Sequence, residues 1–337
     1  MTSATLVTFI LAPILVFALW HVTANSAPPV PSFLRNKRII LLIAHPDDES
    51  MFFNPTLQAL TSSHLQNHLK ILCLSTGNSE GIGQTRRLEL EQAGVTLGLR
   101  RREDVFVLDD ERFKDGMHEE WKPEDIARVL ASAFAPHLNG TSPTPEQPDA
   151  EREKEKNKDR RKTKSKHTKS SSSGEAAAKP PVPAHPEGPY ASIDVLITFD
   201  QYGISDHPNH KALYHGATLF VKKIMKGHSG YASPVALYTL PSINILRKYS
   251  FILDSIPTLL GGIYGTILAN VMGTRGTANK EGADRVVFVN DISRYWKARA
   301  AMIEGHKSQM VWFRWGWIGL GRYMVVNDLR SEKIIGT

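Results

Sequence analysis

Arg38-Ile39-Ile40-Leu41-Leu42-Ile43-Ala44-His45-Pro46-Asp47-Asp48-Glu49 is the stretch whose reading decides the fold. An apolar, β-branched run without polar alternation reads as a strand buried on both faces, the kind found in parallel sheets. It ends abruptly in His, Asp and Asp. Polar groups delivered there sit at the carboxyl edge of the sheet, where open α/β folds place ligands and chemistry.

Working outward, the pattern alternates. The first strand covers Ile39–Ala44, a helix Pro55–Ser62, a second strand Leu69–Ser75, and Thr76-Gly77-Asn78 reads as a loop over the site. Helical periodicity over Arg86–Leu97 stops at Gly98, a strand follows at Asp104–Leu108, and Pro123–Ala135 reads as a helix. The alternation resumes with a strand at Ile193–Phe199, a helix over Pro208–Met225, strands at Val235–Leu240 and Val286–Val289, and a helix over Ser293–Lys307. This order predicts an α/β fold, a Rossmann-like, mostly parallel sheet flanked by helices.

The expected organisation has four parts: an apolar anchor at 4–22, a catalytic domain in two pieces at 37–138 and 190–330, and a basic insertion at 139–189 between them. The insertion is rich in Pro, Ser, Lys and Glu and nearly free of aromatics, a composition that predicts disorder. Glu151–Lys179 holds eleven Lys/Arg against five Asp/Glu, most of the chain's formal charge of +7. The basic balance therefore belongs to one segment rather than to a folded face, which argues against nucleic acid as a partner. The single cysteine, Cys73, excludes an intrachain disulfide and sits in an apolar strand, where it reads as a small core residue.

Ala4 to Trp20 carries no charge. A cleaved signal would have a basic stretch before its apolar run, and none is present, although Ala24-Asn25-Ser26 would serve as a cleavage region. A retained membrane anchor fits better, because Arg35, Lys37 and Arg38 follow it on the side expected to face the cytoplasm. The sequon Asn139-Gly140-Thr141 would carry glycan if the body were lumenal.

Zinc accepts histidine nitrogen and carboxylate oxygen, and a catalytic site uses three such ligands with one position open. His45, Asp48 and His210 supply that set, from His45-x-x-Asp48 and from the second cluster Asp206-His207-Pro208-Asn209-His210. Zn2+ is the expected cofactor, with another divalent metal as the alternative. Asp47 is then free to act as general base, and His207 to donate to an oxyanion or protonate a leaving amine. Taken singly, His-Pro-Asp-Asp also reads as a turn with a helix cap, and His-x-x-His as a polar helix face. Two clusters at strand ends favour a metal-dependent hydrolase; the parts suit an unactivated amide, but residue chemistry alone does not fix the bond.

Ala44–Glu49, Thr76–Gly81, Arg86–Leu90 with Leu97-Gly98-Leu99, Phe199–His210, and His306–Trp315 with Arg322-Tyr323-Met324 resemble, in order, the motifs of the PIG-L/LmbE-like zinc deacetylases. The last block resembles that of the eukaryotic branch, the N-acetylglucosaminyl-phosphatidylinositol de-N-acetylases. The resemblance spans about residues 37–135 and 190–329. It implies zinc at His45, Asp48 and His210, Asp47 as base, and His207 as the residue that stabilises the tetrahedral intermediate. It also implies release of acetate from the glycolipid in GPI-anchor biosynthesis, at the endoplasmic reticulum membrane with the catalytic domain facing the cytoplasm. Asp206 stands where the family often has Gly. A deacetylase of another N-acetyl sugar and a catalytically silent, membrane-tethered interaction protein are the competing readings, and no protein partner is indicated.

Four further residues are candidates for substrate contact or for support of the ligands. Arg86 and Glu89 lie one turn apart and either line the site or pair with each other. Asp200 either supports a ligand histidine or caps its strand. His306 either reaches the substrate phosphate or the metal's surroundings, or lies on the surface. Trp312, Phe313, Trp315 and Trp317 read as core or as a membrane-interface patch, and the apolar stretch 250–272 as an interfacial segment or a buried helix pair.

Overall fold

Strand β1 (Arg38–Ile43) is buried from its second residue onward, as its unbroken apolar run requires. It pairs in parallel with β2 (His68–Cys73) on one side and with β4 (Val195–Phe199) on the other. In this computed structural model, which describes residues 3–139, 188–261 and 284–334, seven strands form one sheet in the order β3-β2-β1-β4-β5-β7-β6. Strands β3 (Val105–Val107) and β5 (Ala236–Leu240) extend the parallel part. At the far edge β6 (Arg285–Val289) and β7 (Val326–Glu332) run antiparallel. The chain leaves β1 toward β2 and returns on the other side as β4, so the topological switch lies between β1 and β4. Such a switch opens a crevice beyond the carboxyl ends of the strands.

Helix α1 (Ser3–Asn25) precedes the sheet, and its window Thr8–Asn25 is long and apolar enough to cross a membrane. The short α2 (Asp48–Met51) and α3 (Asn54–Leu60) follow β1, and α4 (Gly83–Thr96) follows β2. Helix α5 (Pro123–Phe134) packs against α7 (Pro208–Met225), with the short segment α6 (Gly203–Asp206), whose backbone angles are not helical, leading into the latter. After β5 come α8 (Ile245–Lys248) and an apolar helical segment, Phe251–Gly261. Helix α9 (Ile292–Ala300) continues as a π-turn, Ala301–Gly305, that packs on α4, and α10 (Trp312–Leu320) precedes β7.

The expected strand and helix centres all fall on observed elements. Two features depart from expectation. The helix expected through Lys307 leaves α-geometry at Ala301, and β7 pairs antiparallel where a parallel strand would have continued the pattern. The basic insertion, apart from its ends, and residues 262–272 of the apolar stretch lie outside the described residues.

A buried network ties the far edge to the core. The Arg322 guanidinium, fully enclosed, pairs with Asp254 through Nε and with Asp328 at 2.5 Å through Nη2. Asp254 also accepts from Arg247 at 2.6 Å and Asp328 from Arg285 at 2.9 Å, so each carboxylate faces two cations. Burial pulls the Arg322 guanidinium down, but Asp328 and Asp254 raise it further than burial lowers it.

Candidate active site

The carboxyl end of β1 turns sharply at Asp47, whose φ of 125° is rare for a residue with a side chain. Holding a non-glycine residue there costs about 1–3 kcal/mol and requires support from its surroundings. Glu49 supplies that support: its Oε2 accepts the Asp47 backbone N–H at 3.2 Å. Glu49 is itself held by Ser50 Oγ–H at 2.5 Å and by His306 Nε2 at 2.6 Å. Burial works against a charged His306, but Glu49 outweighs it and raises its pKa. His306 is therefore not a surface residue, as one reading of the sequence had it. It is fully buried, and behind Asp47 it braces the turn.

The turn brings three candidate ligands together. Asp48 Oδ2 accepts from the Ala44 and His45 backbone N–H groups at 3.0 and 2.9 Å, which leaves Oδ1 facing His210 Nε2 at 3.2 Å. His45 Nδ1 lies 3.9 Å from Asp48 Oδ2. One donor atom from each of His45, Asp48 and His210 lies within 4.8 Å of the others, and all three residues are buried. His210 is oriented by the Gly203 carbonyl, 2.9 Å from its Nδ1, and by Phe199, on which it stacks with ring centroids 4.0 Å apart. Its Nε2 faces that carboxylate and makes no hydrogen bond of good geometry; burial works against a charged His210, but Asp48 outweighs it and raises its pKa. A buried imidazole nitrogen left without a hydrogen bond beside a buried carboxylate oxygen, with His45 converging on them, is a donor set that fits a metal ion. Burial alone would raise the Asp48 carboxyl, but His210, His45 and the backbone amide hold it below its ordinary value. For His45 burial wins over Asp48 and Asp115, and its pKa is lowered, which keeps the ring neutral as a ligand must be.

His207 is the N-cap of α7, half-buried, with its ring 4.8 Å from that of His210 and 4.9 Å from that of His45. Burial first, then those two histidines, lower its pKa to about 4. Its Nδ1 accepts the Asn209 backbone N–H at 3.3 Å, which places the ring proton of the neutral form on Nε2.

The loop that presents His210 is strained. Ile204, Ser205 and Asp206 have φ of 36°, 70° and 63° in succession. The left-handed φ at Asp206 accounts for the glycine that the resemblance leads one to expect there, and Asp tolerates that region better than most residues. Asp200 organises the loop: its carboxylate accepts from Ser242 N and Oγ at 2.6 and 2.7 Å and from Gly203 N at 3.0 Å. It thus caps the end of β4 and acts on His210 only through the Gly203 carbonyl.

Arg86 and Glu89 do not pair with each other. Arg86 donates to the Gly77 carbonyl at 2.8 Å and the Pro46 carbonyl at 2.9 Å, and pairs with Asp115 at 3.2 Å and Asp47 at 3.5 Å. Glu89 instead accepts from Ser308 N and Oγ at 2.8 and 2.6 Å. Gly77 is required by this arrangement: its φ is 65°, and a Cβ would fall 2.1 Å from Arg86 Nη1.

A family model described as GlcNAc-PI de-N-acetylase (PIG-L) matches residues 40–221, which include every residue of the candidate metal site. The chain belongs to the PIG-L family. The N-acetylglucosaminyl-phosphatidylinositol de-N-acetylase of Arthroderma benhamiae is 39% identical over 376 residues, covering 99% of this chain and 100% of the relative. A probable enzyme of the same name from Schizosaccharomyces pombe is 32% identical over 309 residues, covering 91% and 92%. Among solved structures, N,N'-diacetylchitobiose deacetylase from Pyrococcus horikoshii aligns at 13% identity with a TM-score of 0.44, covering 88% of this chain and 84% of that one.

In this PIG-L family chain, sequence reasoning missed three residues of the site. Arg314, from α10, donates through Nη1 to Asp47 Oδ2, so Asp47 lies between two guanidinium groups. Asp115 lies 3.1 Å from His45 Nε2, and the Asn209 amide oxygen 3.0 Å from the same atom. His45, Asp115 and His207 form a second group whose donor atoms converge. Asp115 sits in a polar loop without a motif around it, and Arg314 lies among aromatics that dominate the reading of its block. Beside the ligands opens a cavity of about 510 Å³, lined by Ser75, Thr76, Asn78, Asp109, Asp115 and Glu119 among others. Hydroxyl and carboxylate side chains of this kind suit a sugar ring.

Proposed function

We propose that this chain is a zinc-dependent amidohydrolase. It removes the acetyl group of N-acetylglucosaminyl-phosphatidylinositol and releases acetate and glucosaminyl-phosphatidylinositol, in GPI-anchor biosynthesis at the endoplasmic reticulum membrane. Near-full-length identity to relatives of that name supports the substrate. The convergence of buried His45, Asp48 and His210 beside Asp47 is the observation that carries the chemistry.

His45, Asp48 and His210 would hold the ion, and two histidines with one carboxylate suit Zn2+. When bound, it supplies Lewis acidity, polarising the acetyl carbonyl and acidifying water. Asp47 takes a proton from the attacking water as the oxygen bonds to the acetyl carbon. Neutral His207 donates its Nε2–H to the carbonyl oxygen as negative charge develops there. The C–N bond then breaks, and Asp47 passes its proton to the departing amine nitrogen. Because His207 is held near a pKa of about 4, it enters as a hydrogen-bond donor, and Asp47 is the group that moves the proton. Arg86 and Arg314 position the Asp47 carboxylate, with Arg86 also fixing the Gly77 loop. Glu49 and His306 hold the turn from behind.

The sugar ring fits the 510 Å³ cavity, with its hydroxyls toward Asp109, Asp115 and Glu119. The lipid phosphate is then placed toward Arg314, which reaches Asp47 from α10. Helix α1 anchors the enzyme, and the basic residues after it favour a catalytic domain on the cytoplasmic side. The test is acetate release from N-acetylglucosaminyl-phosphatidylinositol compared with a free N-acetylated disaccharide. The reading expects turnover of the glycolipid and little of the disaccharide. Turnover of the disaccharide alone would keep the chemistry and overturn the substrate.

A further inference from the structure

We propose that the body of the protein seats on the lipid bilayer through a second surface, formed by α8, α9 and α10 around the point where α1 docks. That docking is specific. Trp20 is buried, meets Phe251 and Tyr295 edge-on with ring centroids 5.1 Å away in each case, and donates its indole N–H to the Asn290 carbonyl at 2.8 Å. The end of α1 is therefore fixed to the body rather than tethered loosely to it, and this fixes which side of the body meets the membrane.

The same contacts continue outward. The Tyr295 hydroxyl of α9 donates to the Ile318 carbonyl of α10 at 2.9 Å, and Tyr249, just after α8, lies 5.9 Å from the Trp317 ring of α10. The elements joined in this way expose large apolar side chains: Leu246 is 83% accessible, Trp296 60% and Trp312 85%, with Trp315 and Leu320 also exposed. Helix α10 thus divides its residues. Trp317 and Ile318 turn into the core, while the tryptophans at 312 and 315 face out.

A lipid surface is the occupant that these features specify. Trp296 of this surface lines a groove shared with α1, a helix of membrane-spanning length and composition. An apolar groove of about 760 Å³ runs between α1 and α9, walled by Phe17 and Trp20 on one side and Ile292 and Trp296 on the other, which suits an acyl chain. The Arg299 guanidinium lies 5.2 Å from the Trp296 ring centroid, pairing an aromatic with a cation as membrane–water interfaces favour. Indole rings at the headgroup level, flanked by basic side chains, seat a protein in the interfacial plane.

The consequence rests on the deacetylase reading. Arg314, which contacts Asp47, lies between Phe313 and Trp315 on α10. One helix then both touches lipid and walls the site, so a glycolipid headgroup reaches Asp47 without its acyl chains leaving the bilayer.

The test uses the full chain in vesicles of phosphatidylcholine and phosphatidylinositol, with and without bromine on the acyl chains. The tryptophan emission lost in the triple variant Trp296→Phe/Trp312→Phe/Trp315→Phe is obtained by difference. The proposal expects that component to be quenched by the brominated lipid and shielded from aqueous acrylamide. Quenching by acrylamide and not by bromine would overturn it. A second readout compares Trp312→Ser/Trp315→Ser with the parent on bilayer-embedded glycolipid and on its water-soluble, deacylated headgroup. Loss of bilayer turnover on the order of tenfold, with headgroup turnover unchanged, supports the surface. Equal loss on both, or loss on neither, overturns its role in substrate access. If the parent turns over neither substrate, the deacetylase reading fails, and the fluorescence still decides whether the surface meets lipid.

Discussion

Replacing His306 with alanine should both destabilise the protein and slow it, although the residue is completely enclosed. His306 Nε2 and Glu49 Oε1 are 2.6 Å apart, and both side chains are fully shielded from water. Removing the imidazole leaves Glu49 buried with Ser50 Oγ as the remaining side-chain partner of that oxygen. Breaking one side of a buried pair costs about 3–5 kcal/mol, because the surviving charge is left uncompensated. At about 2–4 °C per kcal/mol for a domain of this order of size, the midpoint of thermal unfolding should fall by on the order of 10 °C. Glu49 Oε2 also holds the Asp47 N–H against a φ of 125°, so the base should lose its placement. Misplacing a reacting group by about 1 Å through such a distant change costs on the order of a hundredfold in rate. The effect has a pH signature. The folded pKa of His306 is raised above its unfolded value, so the pair's contribution is complete below about pH 6.5 and fades as pH rises through the raised value. The assay is unfolding of parent and His306→Ala at several pH values, with kcat measured alongside and His306→Gln as a variant that keeps a donor. A parent and alanine variant that unfold within a degree of each other, with equal kcat, would refute the reasoning.

Gly77→Ala should displace Arg86, because its Cβ would fall 2.1 Å from the guanidinium; kcat should drop by at least about tenfold, as for loss of an orienting group. Gly81→Ala is the control: its φ of 75° is also left-handed, but nothing lies within 4 Å, so it should cost only about 1–2 kcal/mol of stability and leave kcat alone. Arg322→Met should lower stability by about 3–5 kcal/mol in chemical unfolding, since Asp254 and Asp328 each lose a buried cation. If the catalytic domain faces the cytoplasm, Asn139 in its sequon should carry no glycan when the chain is expressed in eukaryotic cells, as judged by the absence of a mobility shift on endoglycosidase treatment.

The central sheet was legible because its strands obey one simple rule. Runs such as Ile39–Ile43 and Val195–Phe199 are buried on both faces, so their apolar patterns are continuous and their polar ends mark the crevice. At the antiparallel edge β6 was legible in the same way, but β7 was not. Strand β7 carries Asn327, Asp328 and Arg330, and Asp328 is buried only because Arg322 and Arg285 reach it from elsewhere in the chain. Within the site, His45, Asp47, Asp48 and His210 announce themselves by clustering at strand ends, and the structure brings them together. The contributions of His306, Arg314 and Asp115 depend on partners 257, 267 and 29 residues away, and local pattern carries no trace of such pairings. Asp200 shows the intermediate case. Its position at the end of β4 was readable, but that it acts on Gly203 and Ser242 rather than directly on a histidine depends on the strained turn at 204–206.

The most direct test of the account is acetate release from N-acetylglucosaminyl-phosphatidylinositol by the full chain and by Asp47→Asn, each with its metal content determined. The account predicts one bound ion in both proteins, activity in the parent, and a loss of at least about a hundredfold in the variant, the scale expected when a general base is removed. Equal turnover by parent and variant at equal metal content would contradict it.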